Sequence, residues 1–104
     1  MAGLAFDGRS GGVSEWLRCA AYASAHGVLM APHHDPQIHG QLVAAVPNGL
    51  TVETFPEAAR DPIWSELFSV RPEIKDSYIE IPDGPGFGIE VDEKVVEKRG
   101  TKVP

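Results

Sequence analysis

The sequence predicts an α/β chain built on a parallel sheet, and three observations carry that reading. Apolar residues recur at helical spacing over residues 13–26 and again over 36–46. Each of these stretches is followed by a short apolar or β-branched run, at 28–31 and 50–55. Glycine or proline stands at the junctions. Helices alternating with strands imply right-handed crossovers and parallel pairing, and in such sheets chemistry collects at the carboxyl ends of the strands.

Residues 1–10 read as an irregular start in which Leu4, Ala5 and Phe6 are the remnant of a strand. The first helix rests on Val13, Trp16, Leu17, Ala20, Ala21 and Ser24, which leaves Glu15, Arg18 and Tyr22 on other faces. Gly27 ends it. Residues 28–31 form a continuous apolar run, the mark of a strand buried on both faces. Pro32 stops that strand and leaves His33 at its carboxyl end. Asp35 is placed to accept from the first free amides of the second helix, and Pro36 at the first helical position loses no bond. The helix continues through Ile38, Leu42, Val43 and Val46 until Pro47-Asn48-Gly49 breaks it. Alternation over 50–55 then puts Leu50, Val52 and Thr54 on one strand face and Thr51, Glu53 and Phe55 on the other. An acid in mid-strand needs a reason.

Farther on, Ile63, Trp64, Leu67 and Phe68 suggest a turn or two of helix packed on the sheet, with Trp64 read as core in preference to a pocket wall. Residues 78–81 alternate as a strand, and 82–86 are dense in turn residues. The stretch PDGPGFG lacks the lysine and the serine or threonine of a phosphate loop. Asp92 caps a short helix reaching Lys98, and residues 100–104 fray.

Composition narrows the classes. With 42% hydrophobic and 23% charged residues the chain reads as ordinary globular protein, and a net charge of −6 argues against nucleic acid or anionic lipid as a partner. Cys19, the single cysteine, excludes an internal disulfide and suits a reducing cytoplasm. It sits mid-helix among alanines as a small buried or half-buried side chain. No run approaches the roughly 20 apolar residues that span a bilayer.

Three segments, GGVSEWL, AHGVLMAPHHDPQIHGQLVAAVPNGLTVE and IPDGPGFGIEVDE, resemble in order and spacing the closing section of the enolase superfamily. The branch is that of mandelate racemase, muconate lactonizing enzyme and the acid-sugar dehydratases, and the resemblance runs over residues 11–99. It implies the C-terminal fragment of a (β/α)8 barrel, with the last two βα units over residues 11–70. A turn-rich tail over 71–104 would then lead toward a capping domain. Since a whole barrel takes about 250 residues, a chain of 104 is expected to be a fragment with little turnover of its own.

The resemblance also implies roles. His33 stands where the family carries its catalytic histidine, and Glu53 where it carries a glutamate on the last strand. The position of the aspartate that orients the histidine is held by Phe6, with Asp7 one residue on. A slip of one residue turns a strand side chain to the opposite face, so Asp7 reads either as a displaced partner or as a turn with Gly8. The shared chemistry is removal of a proton next to a carboxylate, leading to sugar-acid dehydration or hydroxy-acid racemisation. Histidine, titrating at about pH 6.5, suits the base or returning acid. Glu53, if buried and so protonated, suits a donor to the substrate carboxylate. Mg²⁺ would be held by acids on earlier strands, so no metal ligand is expected in this chain.

Without the resemblance, His33 is a surface loop histidine and Glu53 a solvated strand acid. His34 is expected to point elsewhere, in a structural or solvent-facing role. A metal site made of His26, His33, His34 and His39 matches no compact ligand spacing. The expected partners are a small carboxylate or sugar acid, and either further copies of the chain or the missing part of the same barrel. The alternative is a noncatalytic self-associating α/β module or a truncated gene product.

Overall fold

In a computed structural model, residues 3–4, 11–55 and 57–103 are described. Asp7 lies outside the described residues, as do Ala5 and Phe6. The chain divides into two compact units, Met1–Thr54 and Phe55–Pro104.

The first unit contains β1 (Gly3–Leu4), α1 (Gly12–Ala25), β2 (Leu29–Met30) and α2 (Pro36–Ala44). β1 pairs with β2 in parallel, Gly3 against Leu29 and Leu4 against Met30, and Met30 bridges in parallel to Gly49 on the other side. The predicted alternation of parallel strands and helices is therefore present. Gly27 closes α1 at φ +67°, in the left-handed region that suits glycine.

α1 turns a different stripe inward from the one its pattern suggested. Trp16, Ala20 and Ala23 are buried, whereas Val13 and Leu17 are exposed. The inward stripe packs with Met30 and Leu42 as the core, with Val28, Ile38, Val43 and Val46 against it. Burial of side chains as large as Trp16, Met30 and Leu42 stabilises by about 1.5–3 kcal/mol each. In the strand Met30 alone is fully buried, while Val28, Leu29 and Ala31 keep partial exposure.

The strand expected over residues 50–55 forms no ladder beyond the bridge at Gly49. Pairing begins regularly, with Met30 N–H donating to Asn48 O at 2.8 Å and Leu50 N–H to Met30 O at 2.9 Å. The next rung of a parallel ladder would need an N–H from residue 32, and Pro32 has none. Instead the Pro32 carbonyl accepts from Glu53 N at 3.3 Å.

The second unit contains α3 (Pro62–Glu66), β3 (Phe68–Val70), β4 (Ile74–Lys75), β5 (Tyr78–Ile79), β6 (Glu90–Val91) and α4 (Glu93–Arg99). β3 and β6 pair antiparallel with a shift of register between Phe68 and Val70, and β4 and β5 form a hairpin. Its turn, Asp76-Ser77, has positive φ at both residues, the geometry of a tight two-residue connection. Asp92 caps α4 as predicted, its carboxylate accepting from Lys94 N at 2.9 Å. Arg60 stacks its guanidinium 3.9 Å over the Phe55 ring. The reading of Trp64 falls on a side chain outside the described residues.

Candidate active site

His33 and Glu53 meet at the carboxyl end of β2. Pro32 leaves the strand, and its carbonyl, by taking the Glu53 amide, draws the backbone of Glu53 beside the residue preceding His33. The side chains follow: His33 Nε2 lies 3.3 Å from Glu53 Oε2. The two are 55% and 50% exposed, so both are open to a small molecule. Glu53 is thus a half-exposed acid in this chain, and the burial expected to hold it protonated is not present.

The residues after His33 turn sharply. His34 and Asp35 take φ +56° and +48°, consecutive non-glycine residues in the left-handed region, at a cost of about 1 kcal/mol or more each. That turn launches α2 at Pro36. The Asp35 carboxylate makes no capping bond to the helix, contrary to expectation; Oδ1 instead lies 3.0 Å from His34 Nδ1. The Asp35 carbonyl accepts from Ile38 N and His39 N. The His34 ring is tilted against that of His33, with centroids 6.0 Å apart.

Two residues of this unit escaped the sequence reading. His39 is 1% exposed, and its Nδ1–H donates to the carbonyl of His34. The available signal was a histidine at helical spacing from the inward-facing Leu42, Val43 and Val46. Asn48 was read only as part of a helix break. It is buried, and its Nδ2 donates to Ala20 O and to Val28 O, both at 3.0 Å.

Among the described residues, no group of three or more His, Cys, Asp or Glu could hold a metal ion. The donor set of the described residues thus does not fit a Mg²⁺ site. Nor is any helix among them long and apolar enough to cross a membrane.

Residues 8–95 match the family described as Enolase C-terminal domain-like. The chain belongs to that family. Among relatives of this enolase-like chain is L-talarate/galactarate dehydratase of Salmonella typhimurium, 32% identical over 87 residues that cover 83% of the chain and 20% of the dehydratase. A mandelate racemase/muconate lactonizing enzyme from a marine actinobacterium, solved in complex with magnesium, superposes with a TM-score of 0.85 at 31% identity. That match covers 94% of the enolase-like chain and 28% of the solved one. L-Talarate dehydratase from Polaromonas sp. JS666, complexed with Mg and L-glucarate, superposes at 0.76 with 33% identity, over 91% of this chain and 25% of its own. The enolase-like chain therefore spans a minor part of the length of the relatives it matches.

Proposed function

We propose that this chain supplies the acid–base pair of a sugar-acid dehydratase, as the last units of a (β/α)8 barrel. The observation that supports this most is the contact of His33 Nε2 with Glu53 Oε2 at 3.3 Å, at the carboxyl end of β2. Both residues are open to a small carboxylate.

His33, as the neutral imidazole, takes the hydrogen from the carbon next to the substrate carboxylate, and the Glu53 carboxylate beside Nε2 steadies the imidazolium that forms. The electrons of the C–H bond move into the substrate carboxylate as an enediolate. The imidazolium then gives its proton to the β-hydroxyl, which departs as water. Dehydration therefore needs an acid on one face of the substrate only. Racemisation needs a second one opposite; dehydration is preferred here on the printed activity of the similar talarate dehydratases. No step passes through a metal held by this chain; a divalent ion stabilising the same charge would be bound by segments outside it.

The experiment is complementation. The chain is mixed with the Salmonella dehydratase lacking its matching segment, in D₂O with Mg²⁺ and galactarate, and deuterium at the α-carbon is followed by NMR. Uptake that requires both components supports the proposal, and its absence from a soluble, associated mixture contradicts it.

A second reading rests on the exposed Val13 and Leu17 of α1, together with the exposed Leu50. Apolar surface of this kind favours a module that associates with copies of itself. A defined oligomer by light scattering that takes up neither Mg²⁺ nor sugar acid supports this second reading.

A further inference from the structure

The two residues that follow His33 form a tight left-handed turn. His34 and Asp35 are consecutive non-glycine residues at positive φ, and such geometry persists only where its surroundings over-determine it. Constraints on this turn come from two sides among the described residues. One is local, His34 Nδ1 against Asp35 Oδ1 at 3.0 Å. The other comes from α2, where the His39 ring, almost wholly buried, directs Nδ1 at the His34 carbonyl. A carbonyl oxygen only accepts, so Nδ1 of His39 carries the hydrogen.

We infer that His39 is a positioning residue for His33, acting through its hydrogen bond to the His34 carbonyl to hold the left-handed turn that brings His33 to Glu53. The inference rests on the reading of His33 and Glu53 as the working pair, but its test needs no turnover. Failure of the complementation experiment would leave the geometric result standing, and the reverse also holds.

The test is NMR on the full chain. Two signatures are read: the cross-peak between the His33 ring and the Glu53 side chain, and the three-bond amide–Hα coupling of His34, which reports its positive φ. In His39→Phe, which keeps bulk and removes the donor, both signatures are lost. In His39→Asn, whose amide nitrogen stands near the place of Nδ1, both return. A purely space-filling histidine predicts the opposite, with the cross-peak surviving in a folded His39→Phe whose melting temperature alone has dropped. Failure of His39→Asn to restore the signatures also overturns the inference.

Should His39→Phe fail to fold, His34→Gly in the same chain decides the matter, because glycine adopts the turn without strain. If the double variant folds and shows the cross-peak, the turn is what His39 sustains. If it remains unfolded, His39 serves the core and the inference is wrong.

Discussion

Asn48 and Gly49 carry more of the first unit than their place in a helix break suggests. One buried amide nitrogen ties α1 to β2 through the Ala20 and Val28 carbonyls. Asn48→Ala should therefore cost about 2 kcal/mol in urea unfolding, from two lost hydrogen bonds of about 1 kcal/mol each. At Gly49 the constraint is space, since an added Cβ would meet the Val43 carbonyl oxygen at 2.1 Å. Gly49→Ala should cost about 3 kcal/mol or more by the same measurement, because the obstacle is backbone. The sequence made the break at Pro47-Asn48-Gly49 legible, since turn chemistry is local. The partners of Asn48 stand 28 and 20 residues away, and no local pattern names them.

At the scale of elements the local signals at helix ends were the most readable. Gly27, Pro36 and Asp92 each do what their type predicts at a helix boundary. Gly27→Ala should lower stability by about 1 kcal/mol from backbone conformation alone, because nothing lies within 4 Å of its added Cβ. Asp92→Ala should cost about 1 kcal/mol and appear as faster amide exchange in the first turn of α4. Pro32 was readable in part. A proline ends its own strand, and its missing N–H also halts the neighbour, which is why residues 50–55 gain no ladder although their alternation is that of a strand. The β3–β6 pairing and the Asp76-Ser77 hairpin were not legible, because the strands are two or three residues long and the turn uses neither glycine nor asparagine. The inward stripe of α1 was misread for another reason. Periodicity fixes which residues share a face and does not say which of two neighbouring faces finds the core.

At the scale of the whole molecule, the buried apolar cluster of the described residues lies entirely in the first unit. That unit also holds the candidate pair. Its matched relatives are several times longer, and exposed Val13 and Leu17 mark a helix face that this chain leaves uncovered. The account predicts that these two positions govern self-association: Val13→Lys with Leu17→Glu should reduce the mass seen by light scattering while leaving the circular dichroism of the helices unchanged. The family was readable at this scale because matching segments keep their order and spacing, whereas the half-exposed state of Glu53 depends on packing that spacing does not encode.

The central claim is that His33, set against Glu53, moves a proton at the carbon next to a carboxylate. It is tested most directly in a single covalent protein, the Salmonella dehydratase with its matched segment replaced by residues 8–95 of this chain, by comparing α-deuterium exchange of galactarate with and without His33→Asn. The account predicts exchange in the parent chimera and a loss of about 10²-fold or more in the variant. Equal exchange in the two would contradict it and return His33 to the surface of a loop.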